Sequence, residues 1–172
     1  MLIRSSNKVQ IFSFLWFRHV YRLLKLNRFT YASAWKRSTS FLDLPDFREL
    51  VKARENESVT LKYGKYLEPN KWIRRTFRNL LFLGLHQSPP KKILDLGSGT
   101  GYFLKMASSF GHNVFGLDRP QVELYDKTCA IFEIPRFFGW IERNKKIKEI
   151  SESNFDMITR YGRKLCPGIK RA

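Results

Sequence analysis

The sequence predicts an α/β fold, a mostly parallel sheet of about four strands preceded by basic helices, and three observations carry that prediction. Ile93 to Leu96 is a short apolar run, followed by glycines at alternate positions 97, 99 and 101 and then a helix-patterned segment. Gly111 to Asp118 repeats the form, as a turn and a second apolar run closed by an acid. Between the two, Phe103, Met106, Ala107 and Phe110 recur at i, i+3, i+4 and i+7, the stripe of a helix facing a sheet. Strands that alternate with helices in this way form parallel sheets.

Charge and pattern divide the chain into residues 1–42, 43–90, 91–160 and 161–172. The first segment carries eight Lys and Arg, six serines and no acid. Its apolar run Val9 to Phe17 is too short for a bilayer span. Arg18, Arg22 and Lys25 fall on one helical face, with Leu15, Phe17, Val20, Tyr21 and Leu24 leaving the rest apolar. Such a basic amphipathic helix suits an anionic membrane, an organelle transit peptide or simple packing on the domain.

The second segment is a helical lead-in. Leu44-Pro45-Asp46 is a helix entry, with Phe47, Leu50 and Val51 following at helical intervals, and Tyr63 to Pro69 is a loop or short turn. Asn70 is placed to cap a longer helix whose apolar face is Ile73, Phe77, Leu80 and Leu81, with Arg74, Arg75 and Arg78 elsewhere on it. Pro89-Pro90 separates that helix from the first strand. Beyond Asp118, Pro120 suits the first turn of a helix whose period runs through Tyr125, Cys129 and Phe132. Arg136 to Glu142 reads as a third strand ending in an acid, and Phe155 to Thr159 as a fourth. Residues 161–172 have no pattern of either kind.

The glycine turn narrows the chemistry. Glycines adopt positive φ and carry no side chain, so a ligand can approach the backbone where a helix begins. A dinucleotide fingerprint spaces its glycines G-x-G-x-x-G. Here Asp95 precedes Gly97-Ser98-Gly99-Thr100-Gly101, giving D-x-G-x-G-x-G. This pattern resembles motif I of the class I S-adenosylmethionine-dependent methyltransferases. Asp118, 17 residues after Gly101, stands where that family places its ribose-binding acid. The resemblance covers about residues 70–160 and implies a Rossmann-like domain with S-adenosyl-L-methionine as cofactor.

By that resemblance, Gly97, Ser98, Gly99, Thr100 and Gly101 pass under the methionine portion, and Asp95 orders the turn or reaches the amino group through water. Asp118 accepts both ribose hydroxyls, and Glu142 is the candidate for the adenine edge. A dehydrogenase also wants an acid near Asp118; Asp95 and the placement of the third glycine favour the methyl donor instead. No catalytic residue is readable, because a base is needed only when the nucleophile has a proton to lose. Amino-group methyltransferases place Asn/Asp-Pro-Pro-aromatic after the fourth strand, whereas Thr159-Arg160-Tyr161-Gly162 stands here. The methyl acceptor stays open.

The family's domain has seven strands, and no sequence is left for the last three. An incomplete domain is therefore expected, either a truncated or degenerate member or one completed by the N-terminal helices or by an oligomeric partner at the open sheet edge. The net charge of +17 sets a third alternative, a non-enzymatic basic module for nucleic acid or anionic membrane. Residues 1–92 hold 19 Lys and Arg against 6 Asp and Glu, so the basic character belongs mainly to the first half. Cys129 and Cys166, and the histidines at 19, 86 and 112, make no metal-ligand or redox spacing. A cytoplasmic location is expected, with membrane attachment or organelle targeting through residues 1–42 as the alternative.

Overall fold

The computed structural model describes residues 28–56, 64–120, 122–139, 150 and 154–160. Three helices come first: α1 (Arg28–Thr39), α2 (Pro45–Asn56) and α3 (Pro69–Phe82). Then β1 (Lys92–Leu96), α4 (Tyr102–Ser108), β2 (Asn113–Asp118), α5 (Glu123–Ile131), β3 (Arg136–Phe138) and β4 (Met157–Arg160) follow. The strands form one sheet in the order β3-β2-β1-β4, with every neighbouring pair parallel. The alternation of strand and helix patterns predicts this mixed α/β arrangement with a parallel sheet, and its strand order fits the Rossmann-like form that the resemblance implies.

The register places Ile93 beside Val114 and Met157 on one face, and Leu94 beside Phe115 and Ile158 on the other. The first face meets the helices: Ile93, Leu104, Met106, Ala107 and Val114 join Phe77, Leu80 and Leu81 of α3 in one core. Met106 is fully buried there, as its place in the apolar stripe requires. On the second face Phe115 stacks on Phe137 at 5.8 Å and meets Phe155 edge-on at 5.7 Å. Lys92 Nζ lies over both Phe115 and Phe155, an arrangement of a cation on ring faces.

The helices ahead of the sheet are part of this core. Phe41 and Phe47 pack with Tyr102 and Phe132 at centroid distances of 5.0–6.0 Å. Ala34 and Ser38 of α1 are buried, and Arg37 donates from Nε to the Ser109 carbonyl while lying over the Phe110 ring. His112 joins the end of the lead-in to the sheet: its Nδ1 accepts from the Lys91 amide and its Nε2 donates to the Leu85 carbonyl.

Three sequence expectations shift. Asn70 is not the N-cap of α3; Pro69 already occupies the first turn, where its missing N–H costs nothing, and Glu68 precedes it. Pro120 lies ahead of α5, which begins at Glu123. The third strand stops at Phe138, one residue before Gly139, whose amide still bonds the Asp118 carbonyl. Arg18, Arg22, Lys25, Glu142, Tyr161 and Cys166 lie outside the described residues. Among the described residues no helix is long and apolar enough to cross a membrane.

Candidate functional site

In an open parallel sheet, ligands bind beyond the carboxyl ends of the strands at the point where the strand order reverses. Here that point falls between β1 and β4, since β2 and β3 lie on one side of β1 and β4 on the other. The glycine turn leaves β1 at this edge.

All three glycines of the turn have left-handed φ, +76° at Gly97, +55° at Gly99 and +74° at Gly101. Two of them differ in why they must be glycine. A Cβ on Gly101 would sit 2.8 Å from Ile134 Cδ1 and 3.1 Å from Cys129 Sγ, so the start of α4 is pressed against α5 and the connection that follows it. A Cβ on Gly97 would meet nothing within 4 Å. At Gly97 the backbone conformation alone demands glycine, and the space beside it is open.

The turn is fixed to the end of β2. Gly97 N donates to the Leu117 carbonyl at 2.7 Å, and Gly99 N donates to Asp118 Oδ2 at 2.7 Å. Asp118 Oδ1 accepts from the Arg119 amide at 2.8 Å. The two regions singled out from the sequence, one after β1 and one ending β2, therefore converge on a single carboxylate. Each of its oxygens uses one lone pair in these bonds and keeps another. Gly116, behind the turn, leaves no room for a side chain: its Cβ would stand 2.6 Å from Ser98 Oγ. That hydroxyl is buried and has no hydrogen-bond partner among the described residues. Thr100 is buried as well.

Asp95 is only 2% exposed and accepts from the Thr159 hydroxyl at 2.9 Å across the β1–β4 pair. Burial pushes its carboxyl up to about 7, against a smaller downward pull from the Thr159 hydrogen bond; the nearby Asp118 charge adds to the rise. Tyr102, at the start of α4, donates its hydroxyl to the Leu67 carbonyl at 2.9 Å and so ties the turn to the entry of α3.

Of the residues named from sequence, Asp95, Gly97, Ser98, Gly99, Thr100, Gly101 and Asp118 are thus brought together at one edge of the sheet. Glu142 is outside the described residues. Thr159 is a contributor that sequence patterning missed. No local signal marks Thr159, whose partner Asp95 lies 64 residues away in the chain. Arg136 is almost wholly buried, pairs with Asp126 through Nη1, lies over the Phe138 ring, and leaves Nε and Nη2 without hydrogen-bond partners among the described residues.

Two hollows lie away from this edge. One, of about 640 Å³, is lined by Tyr31, Trp35, Arg74 and Arg78; the other, of about 460 Å³, lies between α2 and α5. Among the described residues no group of three or more His, Cys, Asp or Glu is placed to hold a metal ion. Family models, curated proteins and solved structures were each compared with the chain, and none matches.

Proposed function

We propose that the edge formed by the glycine turn, Asp95 and Asp118 is a binding site for S-adenosyl-L-methionine, and that the chain is a methyltransferase or an inactive relative of one. The supporting observation is the 2.7 Å bond from Gly99 N to Asp118 Oδ2, which sets a carboxylate directly over a glycine turn at the sheet's switch point. The residues fit the group. The free lone pairs of Asp118 suit two ribose hydroxyls, the open side of Gly97 admits a chain against the backbone, and Asp95 lies close behind the turn.

The donor supplies an already activated methyl group when bound, so the protein's task is placement rather than activation. Asp118 would hold and orient the sugar, and the turn would fix the amino-acid portion by close backbone contact. Tyr102 and Gly101, locked by packing, would keep that turn rigid. A carboxyl titrating near neutrality at Asp95 would respond to a cationic amino group by ionising.

Titration calorimetry with the demethylated product, S-adenosylhomocysteine, tests the proposal. The wild-type chain is expected to bind. Asp118→Ala is expected to weaken binding roughly tenfold or more, since hydrogen bonds to a charged group contribute about 1.5–3 kcal/mol. Far-ultraviolet circular dichroism checks that the variant still folds. Absence of wild-type binding, or equal binding by a folded variant, refutes the assignment.

A further inference from the structure

The hollow between α1 and α3 has a composition that the donor site does not use. Tyr31 and Trp35 of α1 and Arg74 and Arg78 of α3 line it, and its volume of about 640 Å³ is in the roughly 300–1,000 Å³ range of ligand sites. Helix α3 carries Lys71, Arg74, Arg75 and Arg78 and no acid at all. Lys71, Arg74 and Arg78, at i, i+3 and i+7, share one exposed face of it. Among the described residues Arg74 and Arg78 are engaged in no ion pair; the ion pairs there join Arg48 to Asp43, Lys127 to Glu123 and Arg136 to Asp126. The 27 residues ahead of α1 contain no acid either, so they bring no carboxylate to this face.

The aromatic pair is firmly held. Tyr31 and Trp35 both meet the fully buried Phe77 edge-on, at centroid distances of 5.4 and 5.0 Å. Tyr31 is nevertheless 42% exposed, which is unusual for a large ring beside a core residue. Two guanidinium groups with no ion-pair partner among the described residues, beside two braced rings, match a ligand with both negative charge and flat unsaturated faces. A bilayer would supply the charge, but it is a plane, and these groups line a concavity. A duplex would supply the charge while hiding its bases in the stack. Unpaired nucleotides present both.

We infer that Tyr31, Trp35, Arg74 and Arg78 form a binding site for single-stranded nucleic acid. The guanidinium groups take the phosphates, and the rings stack on a base. The inference needs no methyl donor, so its failure and the failure of the donor site are separate results. If both sites operate, nucleic acid becomes the acceptor class to try first.

Fluorescence anisotropy with labelled oligouridylate and oligothymidylate of about 12 nucleotides tests it, over a range of salt concentrations. Arg74→Gln with Arg78→Gln is expected to lower the magnitude of the salt slope by about 1.4, because each lost phosphate contact removes about 0.7. Tyr31→Ala is expected to weaken binding about tenfold while leaving that slope unchanged, since stacking carries no charge. Lys52→Gln with Lys127→Gln removes the same charge from exposed positions on α2 and α5 and is expected to leave the slope near the wild-type value. Circular dichroism confirms that each variant folds. An equal slope change in the control pair would show a diffuse basic field and overturn the inference. So would equal affinity for the duplex, or a Tyr31→Ala variant that binds normally. Loss of binding to phosphatidylserine vesicles in the arginine variant, with oligonucleotide binding intact, would assign the hollow to lipid instead.

Discussion

Asp95 should make the stability of this fold fall between mildly acidic and mildly alkaline pH. Its carboxyl is raised from 3.8 to about 7, first by burial, with the Thr159 hydroxyl opposing and Asp118 adding. The folded state therefore holds its proton more tightly than the unfolded state does. Below about pH 4 both states are protonated and the full contribution to stability is present; it is lost as pH rises through 7. A shift of this size corresponds to about 4 kcal/mol in total, of which about 2–3 kcal/mol falls between pH 5 and pH 8. That is a large part of the roughly 5–15 kcal/mol of an ordinary domain. Asp95→Asn is the perturbation of choice, since the amide oxygen can still accept from Thr159 while the side chain stays neutral. Urea unfolding of both proteins at pH 5 and pH 8 gives the comparison, with equal m-values as the check on a common folded state. The wild type should lose about 2–3 kcal/mol more than the variant over that interval. Parallel losses in the two proteins would show that Asp95 is not desolvated in solution and would refute the reasoning.

The two ends of the glycine turn should respond differently to one methyl group. Both Gly97→Ala and Gly101→Ala incur the left-handed strain of about 1–2 kcal/mol, but only Gly101→Ala also drives a Cβ against Ile134 and Cys129, adding about 1–3 kcal/mol in urea melts. Cys129 should resist thiol reagents: burial pushes its thiol up to about 11, so in a Cys166→Ser background labelling at pH 8 should follow global unfolding and not native exposure. Rapid labelling under native conditions would contradict its 1% exposure.

The local features of this chain were legible from residue order alone. Apolar runs of strand length, a stripe repeating at helical spacing and glycines at alternate positions each act within a few residues, so they announced β1, the turn, α4 and β2. The same logic placed Met106 and Cys129 in the core and found the acid ending β2. It missed where α3 and α5 begin, because Pro69 displaces Asn70 from the cap and Pro120 lies in the approach to the helix rather than in its first turn. Only the tertiary structure decided the order β3-β2-β1-β4, the bond from Gly99 to Asp118, the burial that raises Asp95 against Thr159 64 residues away, and the hollow that joins α1 to α3. These depend on which distant surfaces exclude water together. Periodicity along a chain records which face is apolar, whereas the choice of partner for that face belongs to the packed molecule.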